Sequence, residues 1–418
     1  MKSLLLLLLP LLALPLLAHA GDETQTLPKG IFGVRLNNVF VTGTDYEFGP
    51  DGQRRTIGET HESNIVQQGI NSATQSGVGK LIYDSLVKIL QGTTQGQSFL
   101  NSALSGIDLG EMRINVVPTT TVQSPTLMYG LTNKWSLIVN VPFIKMQNQV
   151  SWEYVPGSST ATLNGLSSAA NLVGVNIPNS SQFVSLAQSS LAAKGYKPMQ
   201  SGERSFMGDI YVMNLIDLGK SGRFTFGTMN TISLPTGPSH DPDDLLDAGS
   251  FHHTFVEQEF TTVYSFDRKF KGYLSGSFRY YLPEQTAWRV PATETDLDPD
   301  LSQEGTINRQ VGMTTMTEGG LKYRIMSRWN TKAGLAHYTK AADKFNGDIP
   351  GSYDLIENTY PYNASSSTSY KLGLTYDPLS NYKPGSVPLM VDLSYEEVIA
   401  GTNTPSIKQI TLSLSTFF

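Results

Sequence analysis

The chain has 418 residues, with 30 Lys and Arg against 36 Asp and Glu, a formal net charge of −6 and no cysteine. Nothing in that balance is basic enough for nucleic acid. The missing thiols exclude a disulfide framework, a thiolate metal centre and a lipid-modified cysteine, while the length fits two or three domains or one large barrel.

In chain order, "MKSLLLLLLPLLALPLLAHA" comes first. Lys2, the apolar run Leu4 to Leu17 and Ala18-His19-Ala20 read as a secretory signal over residues 1–20, cut after Ala20. The run is short for a membrane anchor and is broken by Pro10 and Pro15. No later stretch has eighteen consecutive apolar residues, so no helical span is expected. Instead, segments of about ten residues alternate apolar and polar between turn signals, the trace of a transmembrane β-barrel. The prediction is an all-β antiparallel barrel over 21–418.

A first strand is expected at 30–42. "TLMYGLTNKWSLIVNVPFIKM" then reads as two strands about a turn at Thr132-Asn133-Lys134. Trp135, Leu137, Val139, Val141 and Phe143 share one face, Ser136 and Asn140 the other, with Ile138 as an exception. "DIYVMNLIDLGKSGRFTFGTMNTISLP" repeats the pattern about Gly219 to Gly222. The next hairpin turns at Asp267 to Lys269, with Leu274, Phe278, Tyr280 and Leu282 on one face and Ser275, Ser277 and Arg279 on the other. Two more hairpins turn near Ser327 to Asn330 and around Asn381 to Gly385. The last strand, 404–418, places Ile410, Leu412, Leu414 and Phe418 on one parity and Gln409, Thr411, Ser413 and Ser415 on the other. Those four apolar residues, ending in an aromatic, resemble the signal read by the barrel-assembly machinery.

These turns are short and the other connections long: 43–110, 155–203, 237–250, 285–307 and 343–366. That asymmetry places the turns in the periplasm and the loops outside. About twelve strands result, an even number with both termini periplasmic. The inserts 43–110 and 155–203 contain helix-like spacings, notably Leu81, Ile82, Leu86, Ile89 and Leu90, and Phe183, Leu186 and Leu191. They are expected to lie over or in the external opening. A soluble sandwich is the alternative fold, disfavoured because signal, alternation and loop asymmetry agree.

"MYGLTNKWSLIVNVPFIK" from Met128, "GDIYVMNLIDL" from Gly208 and "LPTGPSHDPDDLLDAGSFHHTF" from Leu234 carry a family resemblance. Over residues 112 to 418 the chain resembles the outer-membrane barrel family of the MetA pathway of phenol degradation. The resemblance implies a channel for small, often aromatic, molecules. On their own chemistry, Pro235-Thr236-Gly237 and Gly208-Asp209 read as a strand end and a strand start.

The face opposite the apolar stripe would line the lumen. By parity it includes Arg223, Glu257, Glu259, Arg279, Glu318, Lys322, Arg324, Lys371, Asp377, Asp392 and Glu396, with Asp209 at a strand start. Both signs occur, so it reads as a selectivity lining or as a salt-bridged interior. His253, Glu257 and Glu259 share a face that could build a metal site, but nothing sets a coordination geometry and no metal is expected. "DLDPD" at 296–300 and "DPDD" at 241–244 read as solvated external loops. No nucleophile elbow, H-E-x-x-H or P-loop occurs, and no cofactor is expected. The function read is passive uptake of small solutes, aromatic or hydrophobic ones included, across the outer membrane of a Gram-negative cell. A non-conducting structural or adhesive barrel is the alternative, and an outer-membrane hydrolase the third. Expected partners are outer-membrane lipid and lipopolysaccharide, the assembly machinery and the solute.

Overall fold

The computed structural model describes residues 26–42, 46–56, 110–156, 164, 180–247, 251–292, 299–358, 362–377 and 388–418. The signal at 1–20, the periodic segment at 81–90 and the turn around 381–385 lie outside them. Twelve strands form the barrel: β1 (Phe32–Thr42), β2 (Gly110–Thr132), β3 (Trp135–Asn140), β4 (Ile210–Ser221), β5 (Phe224–Leu234), β6 (Phe255–Ser265), β7 (Phe270–Tyr281), β8 (Thr314–Met326), β9 (Trp329–Lys340), β10 (Ser365–Tyr376), β11 (Met390–Thr402) and β12 (Lys408–Phe417). Each pairs antiparallel with its neighbours in this order, and β1 closes the ring by pairing with both β12 and β2. Closure leaves no ladder edge unpaired, the condition for placing strands in hydrocarbon.

The period of two makes the wall. Leu36, Leu127, Leu137, Phe260, Leu274, Leu335, Leu372 and Leu393 all point outward and are exposed. Below this belt runs an aromatic rim of Phe32, Tyr129, Trp135, Phe224, Phe266, Tyr323, Trp329 and Phe418. Above it stand Phe40, Phe143, Phe278 and Tyr280. An apolar belt between aromatic girdles marks an outer-membrane barrel.

Three wall strands run past the belt, and there their polarity reverses. Beyond Val141-Pro142 the Phe143–Pro156 segment continues β3 along β2. Its outer side becomes Lys145, Gln147 and Gln149, and its inner side Ile144 and Met146. Water replaces lipid outside, so the apolar side chains move inward, each worth about 1.5–3 kcal/mol when fully buried. The segment Gly202–Met207 leads into β4 in the same way.

The sequence treated 285–307 and 343–366 as loops, and here it is corrected. Glu284–Arg289, Glu304–Gln310 and Lys344–Asn346 form a three-stranded sheet outside the belt. They prolong β7, β8 and β9 past interruptions at Leu282-Pro283, Val311–Met313 and Ala341–Asp343. Pro283 and Gly312 break the ladder in the first two without ending the direction of the chain; the third, Ala341-Ala342-Asp343, has neither residue. Helix α2 (Tyr353–Glu357) follows them. The last strand is also shorter than read, because Thr404-Pro405 pairs with Tyr46–Phe48 in a separate small sheet. The β4–β5 turn falls at Gly222-Arg223, since β4 continues to Ser221 through an irregularity between Asp217 and Gly219.

Candidate functional site

The lumen has two unlike walls. One, on β3 to β7, carries an apolar cluster: Tyr211, Met213, Leu215, Met229, Phe255 and Tyr281 are buried together with Val311, and Ile138 packs against them. Ile138, the exception to the outward stripe, thus belongs to this inner surface. The outward face of the same strands carries Ile232, Val256, Phe260 and Leu274 and, among them, a small polar patch. The Asn230 amide donates to Asn214 (3.2 Å), and the Gln258 amide donates to the Thr228 hydroxyl.

The other wall, on β8 to β12 and β1, carries paired charges. Lys371 Nζ lies 2.6 Å from Glu318 and 3.5 Å from Glu396. The Tyr273 hydroxyl donates to Glu318 (3.0 Å) and the Ser369 hydroxyl to Glu396 (2.6 Å). Tyr273 reaches Glu318 across two glycines, because a Cβ at Gly320 or Gly334 would stand 2.7 or 2.4 Å from its hydroxyl oxygen. Arg35 lies 3.7 Å from Asp392 and donates to Asn37, which also accepts from Ser413. At the junction of the walls Arg279 binds Glu257 at 2.8 Å, its guanidinium 4.1 Å above the Phe255 ring.

The predicted lining residues therefore divide. Glu257, Arg279, Glu318, Lys371, Asp392 and Glu396 sit inward on barrel strands, joined in these pairs. Glu259, also inward, accepts from Thr261 (3.1 Å). Lys322 stands 5.1 Å over the Tyr273 ring, and Arg324 lies two positions along β8 on the same face. Arg223 is placed elsewhere: it is exposed in the β4–β5 turn and donates to the Phe266 carbonyl (3.1 Å). Asp377 lies past the end of β10, its N–H bonded to the Arg328 carbonyl (2.7 Å). The sequence reading missed Arg35, Lys271 and Lys332. The same alternation, carried to β1, β7 and β9, finds all three.

The outer rim is clasped. Asp209 accepts N–H groups from Gly237 (2.9 Å), His252 and His253 (both 3.1 Å). Thr236 donates its hydroxyl to the Gly208 carbonyl and accepts the Ile210 N–H, each at 3.0 Å. The G-D and L-P-T-G motifs, 26 residues apart by these bonds, are thus two halves of one joint. Burial pushes the Asp209 carboxyl up, against the pull of those N–H groups. His253 bonds Glu284 at 2.8 Å, while Glu257 is held by Arg279, so the residues considered for a metal are drawn to different partners. Higher still, Asp343 is fully buried between Arg309 (2.8 Å) and Lys340 (2.5 Å) and accepts the Gly312 N–H (2.9 Å). Burial alone would raise its carboxyl. Arg309 and Lys340 outweigh it and hold it below the ordinary range.

Above the lumen stands helix α1 (Phe183–Ala193), where the spacing predicted one. Phe183 meets Tyr154 edge-on at 5.0 Å. Leu191, Tyr196 and Met199 join a buried cluster with the inward side chains Val39, Val41, Val122, Ile144 and Met146. The Tyr196 hydroxyl donates to the Pro299 carbonyl (2.9 Å), and Arg289 donates to the Lys194 carbonyl (2.8 Å).

The chain is similar in structure to the COG4313 outer membrane channel from Pseudomonas putida F1, at 13% identity over 95% of this chain and 99% of that chain, with a TM-score of 0.50. This likeness shows a common fold. Two others align more loosely, each with a TM-score of 0.32. The Pseudomonas putida toluene transporter TodX does so at 11% identity over 94% of this chain and 90% of that chain. A Pseudomonas aeruginosa FadL homologue does so at 10% identity over 93% and 90%. No protein-family model matches the chain, and no curated protein matches it in sequence.

Proposed function

We propose that this barrel is a passive channel for small solutes, including aromatic and other hydrophobic ones. The carrying observation is the apolar inner wall of Tyr211, Met213, Leu215, Met229 and Phe255 inside a membrane barrel. These side chains are packed against one another, and a solute with an apolar body that reaches them gains by shedding water there. The facing charges are mutually neutralised in pairs, which lets an uncharged solute pass without stripping an ion. The resemblance to the phenol-degradation barrel family and the channel named for the Pseudomonas putida F1 structure support the same reading. Purified protein in liposomes should admit phenol and benzyl alcohol faster than arabinose of similar size. Equal and negligible flux of all three would refute the channel. The second reading, a barrel that conducts nothing, draws on the apolar cluster at the outer mouth, and such a null flux is its signature.

A further inference from the structure

The lipid face of β4, β5 and β6 carries three carboxamides in register. Asn214 is directly opposite Asn230, and Asn230 is directly opposite Gln258. On the same outward parity, Asn214 stands between Val212 and Ile216, Asn230 next to Ile232, and Gln258 between Val256 and Phe260. The row runs from Leu137 on β3, in the apolar belt, to Phe278 on β7, at its outer girdle. Hydrocarbon offers a carboxamide no hydrogen-bond partner, so amides on this face are kept at a cost.

The bonds within the row leave part of each amide unused. A carboxamide can donate two hydrogen bonds and accept on its oxygen. The Asn230 amide donates to the Asn214 oxygen (3.2 Å), which leaves both N–H groups of Asn214 and the oxygen of Asn230 without partners among the described residues. Turning both amides over exchanges the two roles and leaves the same remainder. Gln258 gives its N–H groups to the Thr228 hydroxyl and the Glu259 carbonyl (3.2 Å), and its oxygen accepts from none of the described residues. The patch thus ends in donors on β4 and acceptors on β5 and β6.

We propose that this face of β4 to β6 is the interface of a homodimer within the membrane, its occupant a second copy of the chain. A patch with donors at one side and acceptors at the other is complementary to itself. A two-fold axis along the membrane normal and through β5 sets β4 of one copy against β6 of the other, and the two β5 strands against each other. The Asn214 N–H groups then meet the Gln258 oxygen of the second copy, and the reverse pair forms across the axis. Such an isologous contact closes after two copies. Ile232, Val256 and Phe260, all exposed, supply the packing around these bonds. Apolar side chains gain little by leaving lipid tails for one another, so hydrogen bonds between copies and close packing are what hold such contacts. Pairing through the outer face does not depend on which solute the lumen admits.

The chain has no cysteine, so a single introduced thiol reports contact between copies with no competing bridge inside one. Ile232→Cys, on β5 beside Asn230, and Leu393→Cys, on β11 across the barrel, are each made in the full-length protein and oxidised with copper phenanthroline in isolated outer membranes. Ile232→Cys should give a disulfide-linked dimer several-fold more strongly than Leu393→Cys. This comparison needs no change to the amides and tests the face by itself. Adding Asn214→Leu, Asn230→Leu and Gln258→Leu to Ile232→Cys should abolish the linked dimer. Adding Asn38→Leu and Gln123→Leu instead, outward amides opposite each other on β1 and β2, should keep it. Heat-modifiable migration confirms that each variant is folded. Equal linking through Ile232→Cys and Leu393→Cys, a linked product of another mass, or a folded triple-leucine variant that links as before overturns the dimer.

Discussion

At the scale of single residues, the side of the wall decides what a substitution costs. Leu137 and Val391 belong to the lipid-facing parity, whereas Ser277 is buried on the inner face opposite Glu259. An Arg near the bilayer midplane costs on the order of 2–4 kcal/mol in a barrel. Leu137→Arg and Val391→Arg should each lower the urea midpoint of folding into liposomes, and Ser277→Arg far less. Equal losses at all three would invert the assignment of faces. His240 gives a second residue-scale outcome. Its ring lies 4.1 Å from the Trp288 ring, with the side chain only 10% exposed. Burial, aided by Arg309, pushes its imidazole down to about 3 from an ordinary 6.5. The unfolded loop therefore takes up a proton below pH 6.5, and the packed one does not until near pH 3. Stability from this contact is constant above pH 6.5 and is lost as pH falls toward 3, on the order of a few kcal/mol by pH 4. Hydrogen exchange in residues 284–310, corrected for intrinsic rates, should rise between pH 7 and 4.5. In His240→Gln it should stay flat. Flat exchange in the wild type would dismiss the coupling.

Elements show where local pattern stops being enough. Strand β12 joins β1 along its whole length, and the seam is finished by Phe418, whose N–H and carbonyl bond the carbonyl and N–H of Phe32 at 2.8 and 3.1 Å. Deleting Phe418 removes both bonds and an aromatic that is 70% exposed on the lipid side. The expected result is accumulation in the periplasm or degradation. Normal outer-membrane yield with normal heat-modifiable migration would contradict it. The strands themselves were legible because alternation with a period of two survives any detail of packing. The outer extensions were not, because there the apolar residues change sides and the interruptions, two of them at Pro283 and Gly312, imitate loop ends. The joint between Gly208-Asp209 and Thr236-Gly237 was visible only as two turn signals. Nothing local says that one carboxylate will accept three N–H groups from the far side of a hairpin.

For the whole molecule, the question is what stands in the path of a solute. Helix α1 and the residues after it pack on the inner side of the extended wall through Leu191, Tyr196 and Met199. We infer that this insert narrows the external opening. Replacing residues 161–200 with a short Gly-Ser linker should raise single-channel conductance and antibiotic entry, with barrel heat-stability retained. Unchanged conductance, with the native segment cut freely by protease on intact cells, would assign the narrowing to the barrel wall instead.

Parity in the sequence marked Glu257, Arg279, Glu318, Lys371, Asp392 and Glu396 as one surface, and alternation with short and long connections marked a closed barrel in a membrane. Those properties are local: each side chain's face follows from its neighbours two residues away. Closure decided the rest. The registers that seal β1 to both β2 and β12 set which charges meet. Lys371 thereby finds Glu318 from two strands away, and Lys271, Lys322 and Lys332 are brought into one row. Pairing between strands far apart in the chain depends on where the whole ring closes, and no window of sequence contains that.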